Sequence, residues 1–239
     1  MTLLIDNDIV HKLAQLDLLD LAANILLERY GSLAVLNTLR FKFCPSDPQR
    51  RRKVESRYST IVIDRLEAFI NRGDINEIDC EVTDIVLIEA MSNSVDGLDI
   101  GEMQLLQTLV NGNGDMIFTG DKRFLKALQS SAEIQVYAER LNQSFVCFEQ
   151  IMIFLIKSIG FEQVKNNFLL ALAAGLKVDT TLIMCFEGLQ NAAEERVMDN
   201  LNVFVGYLQP NGATLILISV DPIWMIDDDN VDLEQVPAA

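Results

Sequence analysis

The fold is decided by one stretch, which opens with Leu98-Asp99-Ile100-Gly101-Glu102 and closes with Ile117-Phe118-Thr119-Gly120-Asp121-Lys122-Arg123-Phe124. Apolar residues recur at helical spacing after the opening segment, so its two acids are predicted to lie at the start of a helix. Asn111-Gly112-Asn113-Gly114 ends that helix, since glycine and asparagine accept the left-handed conformation of a helix C-terminus. Met116–Thr119 then predicts a short strand, and Asp121 follows its end.

The N-terminus repeats the arrangement of an apolar strand followed by acids. Leu3-Leu4-Ile5 precedes Asp6-Asn7-Asp8. In open α/β sheets, ligands and ions bind at the carboxyl ends of the strands. Acids three residues apart also share one face of a helical turn. The sequence therefore predicts that acids from three distant segments converge at one edge of a sheet: Asp6, Asp99, Glu102 and Asp121.

The same acids have a purely structural interpretation. Asp99-x-x-Glu102 is close to a capping box, with Asp in place of Ser or Thr. Asp121 is a good N-cap for a helix that begins at Lys122. Taken singly, each acid fits a cap better than a ligand, so it is their combination that favours a site.

Length and composition bound the class of protein. The chain has 239 residues, of which 50% are hydrophobic and 23% charged, so it can bury a large core as one domain or as a domain with an extension. Its formal net charge is −16. Such a field repels a polyanion at long range, so a nucleic acid would have to bind through a local basic patch. The field also suits divalent cations or a basic protein partner.

The cysteines and the hydropathy pattern bear on location. The four cysteines form no C-x-x-C pair, which disfavours a zinc ribbon or a redox motif and favours a reducing compartment. Neither a signal peptide nor an apolar run of about 20 residues is evident. We therefore expect a cytoplasmic protein without a membrane-spanning segment.

Residues 40–57 form the one basic region of this acidic chain, with seven basic residues against two acids. Phe41, Phe43 and Tyr58 flank it, and nucleic-acid bases stack on aromatic rings. A solvated helix start and a phosphate-binding surface explain this region equally well. In the second case the candidate substrate-binding residues are Arg40, Lys42, Arg50, Arg51, Arg52 and Lys53.

The rest of the chain alternates apolar runs with helical patterns. Further strands are predicted at Leu33–Leu36 and Phe145–Phe148, and an amphipathic helical pattern covers residues 54–69. This alternation is typical of an α/β/α fold with a parallel sheet. Beyond residue 160 the patterns are mainly helical, a helix capped by Asp179 included. We therefore divide the chain into an α/β domain, residues 1–160, and a helical extension with a frayed acidic tail, residues 161–239.

In order and separation, three of these motifs resemble the PIN domain. They are the strand that ends in Asp6, the segment Leu98-Asp99-Ile100-Gly101-Glu102, and the segment Phe118-Thr119-Gly120-Asp121-Lys122-Arg123-Phe124-Leu125. The resemblance covers residues 1–160. It implies a three-layer α/β/α fold with a parallel sheet whose acidic edge holds Mg²⁺ or Mn²⁺. Most members of this family are ribonucleases, some of them toxins of toxin–antitoxin pairs, and several act as dimers.

Carried over by position, the resemblance implies catalytic and metal-binding roles for Asp6, Asp99, Glu102 and Asp121. Thr119 would be a supporting hydroxyl and Asp8 an outer acid. Many PIN nucleases carry a further glutamate shortly after the second strand, where this chain has Leu39-Arg40-Phe41-Lys42. Glu28 precedes that strand and is a poor substitute. Loss of one carboxylate would weaken or abolish a second metal site.

The chemistry supports two hypotheses. Several carboxylates within about 4–6 Å of one another stay ionised together only when a cation compensates their repulsion. Such a cation, Mg²⁺ for example, takes oxygen ligands and activates water for phosphodiester hydrolysis. The first hypothesis is therefore a metal-dependent ribonuclease that holds RNA through the basic region. The second is a catalytically reduced PIN-like module that binds RNA or protein, with a protein partner or a second copy docked on the C-terminal extension.

Overall fold

Five parallel strands form the sheet of the computed structural model, which describes residues 1–92, 98–130, 132, 134–186, 192–208 and 217. The strands are β1 (Thr2–Ile5), β2 (Ser32–Leu36), β3 (Ile75–Ile78), β4 (Met116–Thr119) and β5 (Phe145–Cys147). Their order across the sheet is β3-β2-β1-β4-β5. The chain thus builds outward from β1 on one side and then returns to build on the other side. The strand order therefore reverses between β1 and β4, which is the position where α/β sheets open a crevice.

Thirteen α-helices surround this sheet within the described ranges. They are α1 (Asn7–Gln15), α2 (Leu19–Tyr30), α3 (Thr38–Phe43), α4 (Pro48–Tyr58), α5 (Thr60–Ile70), α6 (Ile85–Ser92), α7 (Ile100–Val110), α8 (Lys122–Ser130), α9 (Ala138–Leu141), α10 (Phe148–Ile159), α11 (Phe161–Ala173), α12 (Thr180–Cys185) and α13 (Glu194–Tyr207). A 3₁₀ turn covers Ile134–Tyr137. The predicted α/β class with a parallel sheet is confirmed, and the arrangement is compatible with three layers. None of the described helices combines the length and the apolar character needed to cross a bilayer.

The inner strands β2, β1 and β4 and the edge strand β5 are buried along nearly their whole length, which is typical of a parallel sheet covered on both faces. The strands predicted at residues 3–5, 33–36 and 116–119 are confirmed, because continuous apolar runs mark them. Phe148 instead begins α10, so β5 ends at Cys147. Strand β3 was not predicted. It lies at the sheet edge, and its central residues Asn76 and Glu77 are exposed.

The prediction of one helix over residues 54–69 is wrong, because two helices meet at Ser59. Helix α4 starts at Pro48, where the Asp47 side chain accepts a hydrogen bond from the backbone N–H of Arg50, and it buries no residue. Helix α5 buries an apolar face. Ser59 joins them with φ +71°, a conformation that L-residues rarely adopt. The break allows α5 to turn its apolar face to the core while α4 stays on the surface.

The helices after Gly160 pack onto α10 and share its apolar core. The rings of Phe168 and Phe186 stack with centroids 4.9 Å apart, and helix α13 also packs against α10. Asp179 caps α12 as predicted, since its carboxylate accepts from the N–H groups of Thr181 and Leu182. The predicted acidic tail lies outside the described residues.

We expect Ser59→Gly to stabilise the protein, because glycine adopts this conformation without strain. The free energy of unfolding should rise by about 1 kcal/mol in urea denaturation. Ser56→Gly is the matched control inside α4, where φ is helical, and it should lower the same quantity by about 0.5 kcal/mol. A loss of stability in Ser59→Gly would contradict the assignment of strain to this residue.

Candidate active site

The carboxyl ends of β1 and β4 bring the first and last predicted acids together. Ile5 pairs with Phe118 across the two strands, and the N–H of Asp6 donates to the carbonyl of Phe118 at 2.9 Å. The buried Thr119 hydroxyl donates to Asp6 Oδ2 at 3.2 Å and accepts from the N–H of Asp121 at 3.1 Å. Thr119 therefore links the segments that carry Asp6 and Asp121, at the point where the strand order reverses.

The other two acids lie at the start of α7, which packs against β2 and β4. Asp99 Oδ1 accepts from the N–H of Glu102 at 2.9 Å, and Glu102 Oε2 accepts from the N–H of Asp99 at 2.7 Å. The capping box suggested by the sequence is thus present. The Glu102 residue is only 5% exposed, whereas Asp99 is exposed.

Electrostatic coupling shows that the four acids share one neighbourhood. Burial raises the pKa of Glu102 to about 8, and the charges of Asp99, Asp121 and Asp6 add to the effect. Burial also raises the pKa of Asp6 to about 6, with contributions from the charges of Asp8 and Asp99. Each charged neighbour makes ionisation of the next acid more costly. The structure therefore brings these acids near one another, and the roles that the sequence assigned to them stay predictions.

Asp121 behaves differently, because it has cationic and backbone partners. Burial alone would raise its pKa, but hydrogen bonds from the Arg123 side chain and from the N–H groups of Phe124 and Arg123 outweigh burial and lower it. Its carboxylate caps the start of α8, as the structural interpretation predicted. Asp121 is thus ionised beside two acids whose pKa values are raised.

Two lysines that the sequence analysis did not single out line the mouth of the site. Lys12 Nζ lies 2.7 Å from Asp8 and 2.9 Å from Asp179 of the C-terminal part. Lys122 Nζ lies 2.6 Å from Glu149, which is 1% exposed. The spacing of Asp8 and Lys12 by four residues was a usable signal for their pairing. Asp179 lies far from Lys12 in sequence, and Glu149 lies far from Lys122, so no local pattern could have revealed these two contacts.

An open cleft of about 360 Å³ lies beside these two lysines. It is bounded on one side by α1 and on the other by the segment before and within α12. Gly120 forms part of its wall, and a Cβ atom there would lie 2.3 Å from Asp8 Oδ2. The lining residues are Asp8, Lys12, Gly120, Asp121, Lys122, Arg123, Asp179, Thr180 and Thr181.

The predicted substrate-binding residues are not in contact with the four acids. Arg40 Nη2 lies 2.6 Å from Glu77 of the edge strand, and Arg51 pairs with Glu55 and Glu67. The remaining four residues make no ion pair with the described part of the chain: Lys42, Arg50, Arg52 and Lys53. The structure therefore separates a paired group of bases from an unpaired one.

The described side chains do not form a ready-made metal site. Within the described ranges, no group of three or more histidine, cysteine or acidic side chains is arranged to hold a metal ion. Several carboxylate oxygens of the cluster instead accept hydrogen bonds from the chain, as in the Asp99–Glu102 capping box and the Thr119–Asp6 contact. The acids are neighbours without being a closed ligand shell.

Comparison with known proteins finds no family model, no curated protein and no solved structure that matches this chain. The resemblance to the PIN domain stays a prediction that rests on the quoted motifs.

The raised pKa of Glu102 predicts how stability depends on pH without added metal. The pKa of Glu102 rises from an ordinary 4.5 to about 8 on folding. Protonation of Glu102 therefore contributes stability that is complete below pH 4.5 and is progressively lost as the pH rises through 8. From about pH 6.5 to about pH 8.5, the wild type should lose about 2 kcal/mol more unfolding free energy than Glu102→Gln in urea denaturation with EDTA. Glutamine can keep the capping hydrogen bond but cannot ionise.

Glu28→Gln is the control for that measurement, because it removes an exposed glutamate from α2. It should follow the wild type over the same pH range. Parallel curves for the wild type and Glu102→Gln would contradict the burial of an ionisable group at this position.

Proposed function

We propose that this protein is a metal-dependent ribonuclease with a PIN-like, three-layer α/β/α domain. The observation that carries the proposal is the group of four acids at the carboxyl ends of β1 and β4 and the start of α7, which we call the acidic crevice. There Thr119 links Asp6 and Asp121, and the pKa values of Asp6 and Glu102 are raised. Crevices at the point where strand order reverses are the usual ligand sites of such sheets. Grouped acids with shifted pKa values are characteristic of functional sites.

The donor set fits a divalent cation of the Mg²⁺ or Mn²⁺ type. All four candidate ligands, Asp6, Asp99, Glu102 and Asp121, offer carboxylate oxygens, which hard cations prefer. A positive charge among them would favour the ionised form of Asp6 and Glu102, and so offset the effect of burial. When bound, the metal would activate water and stabilise the charge that develops on a phosphodiester.

The chain's own groups supply the remaining functions. Thr119 orients the Asp6 carboxylate through its hydroxyl. Burial raises the pKa of Asp6 to about 6, so a cation bound there would be needed to hold this carboxylate fully ionised as a ligand near neutral pH. Lys12, Lys122 and Arg123 line the cleft beside the acids, and each is paired with a carboxylate, so the phosphates of a bound strand would compete with those carboxylates for them.

One observation favours the second candidate function, a catalytically reduced module that binds RNA or protein. The capping box already uses one oxygen of Asp99 and one of Glu102, so both acids have a structural role without metal. This candidate differs from the first in that it predicts binding without metal-dependent cleavage.

The ribonuclease proposal is tested by cleavage of a fluorescent single-stranded RNA in Mn²⁺. We expect the wild type to cleave it, and Asp6→Asn and Asp121→Asn each to lose about 100-fold or more of the rate. Such a factor corresponds to about 3 kcal/mol of lost transition-state stabilisation. Mn²⁺ should also raise the melting temperature of the wild type more than that of Asp6→Asn.

Asp64→Asn is the matched control, because Asp64 is an exposed aspartate of α5 outside the acidic crevice. It should cleave at the rate of the wild type. Metal-independent cleavage, or equal rates in all four proteins, would rule out the proposed site. Binding of RNA without any cleavage would favour the second candidate function.

A further inference from the structure

A second cavity, of about 440 Å³, lies next to the cleft and is built from the same two parts of the chain. Helix α1 contributes His11 and Gln15 to the cavity, and its neighbouring row of side chains, Asp8 and Lys12, lines the cleft. The segment between α11 and α12 likewise contributes residues 175–177 to the cavity and residues 179–181 to the cleft. A single strand of nucleic acid that crossed from α1 to the segment between α11 and α12 would contact both the cavity and the cleft.

The inner wall of the cavity presents a polar atom that lacks a partner in the described part of the chain. His11 stacks on Phe43 with centroids 5.3 Å apart and meets Tyr58 edge to face at 4.9 Å. Its Nε2 is buried and has no hydrogen-bond partner among the described residues. Gln15, a buried residue, also lines the cavity and adds its side-chain amide to the wall. Buried polar atoms are normally satisfied, so an unpartnered one beside a cavity suggests a ligand.

The charged residues at the cavity are two cations, Arg57 and Lys177, and one carboxylate, Glu55, which is already paired with Arg51. Arg57 and Lys177 are both exposed there, and neither forms an ion pair with the described residues. Arg57 also places its guanidinium 5.1 Å from the centroid of the Tyr58 ring. Several other bases of this acidic chain are neutralised by a carboxylate, as Arg72 is by Asp20 and Asp74. Two uncompensated cations at one opening therefore indicate an anionic ligand.

Helix α4 extends this positive surface away from the cavity. Arg50, Lys53 and Arg57 recur at spacings of three and four, so they share one face of the helix, and all three are exposed. None of them forms an ion pair with the described part of the chain. A row of cations that ends at a cavity with aromatic walls is the arrangement that holds a phosphate backbone and stacks its bases.

We propose that this cavity binds one nucleotide unit of single-stranded RNA, with the phosphate between Arg57 and Lys177 and the ribose or base towards His11, Gln15 and Tyr58. The volume falls in the range of small-ligand sites, about 300–1,000 Å³, and a nucleotide unit fills part of it. The choice of RNA as ligand rests on the proposed function. The cavity itself is distinct from the acidic crevice and contains none of its four acids.

The test measures RNA binding under conditions where cleavage does not occur. A fluorescent single-stranded oligouridine is titrated in EDTA with Glu102→Gln protein, and the dissociation constant is obtained from fluorescence anisotropy. Adding Arg57→Ala and Lys177→Ala should weaken binding about tenfold or more, because each removes a charge-assisted contact to phosphate. The matched control adds Arg29→Ala and Lys157→Ala, which remove the same charge from α2 and α10, and it should change the constant less than about twofold.

The chain's single histidine gives a second readout that does not depend on a variant. The imidazole signals of His11 in a ¹H–¹⁵N spectrum should shift on titration with the oligouridine, and free uridine 5′-monophosphate should shift the same signals more weakly. Silent His11 signals during RNA binding would overturn the inference, as would equal effects of the two double variants. Stronger shifts with polyglutamate, or with the free nucleotide alone, would also overturn it.

The outcomes separate this inference from the proposed function. RNA that binds at the cavity but is never cleaved in Mn²⁺ overturns the ribonuclease and leaves the cavity assignment intact. Cleavage that depends on Asp6, together with binding that ignores Arg57 and Lys177, overturns only the cavity assignment.

Discussion

The pairing of β1 with β4 is the constraint on which the rest of the structure depends. Both strands are buried, and their register sets Ile5 opposite Phe118, so the residues that follow each strand emerge side by side. Asp6 and Thr119 are then close enough for a hydrogen bond, although they are 113 residues apart in sequence. A slip of one residue would exchange the two faces of every side chain in the strand and so disrupt its packing on both sides. The core therefore fixes the position of the acids.

The balance of charge around the crevice has two parts. The acids inside it are compensated mainly by hydrogen bonds to backbone N–H groups and to Thr119, and burial makes protonation of Glu102 and Asp6 easier than usual. The acids at its rim are compensated by lysine and arginine, as in the contact of Lys12 with Asp8. Inner acids that are difficult to ionise therefore lie next to outer acids whose charge is balanced by lysine and arginine. Under the proposed function, a bound cation would offset the cost of ionising these acids.

Sequence patterns predicted what depends on local chemistry. The buried strands are continuous apolar runs, and the capping box of Asp99 and Glu102 is a spacing rule, so both were accessible. Strand β3 was missed because its central residues Asn76 and Glu77 are polar and exposed, so no apolar run marks it. The break at Ser59 was missed because an unusual φ at a serine leaves no trace in hydropathy. The contact of Lys12 with Asp179 arises only from tertiary packing, so it could not be predicted.

That contact also has a consequence for biosynthesis. Lys12 leaves the ribosome long before its partner Asp179, which follows all five described strands in the chain. Translation proceeds from the N-terminus, so the acidic crevice exists in the nascent chain well before the segment that forms the opposite wall of the cleft. The complete cleft therefore forms only after the segment around Asp179 has been synthesised and has docked on α1.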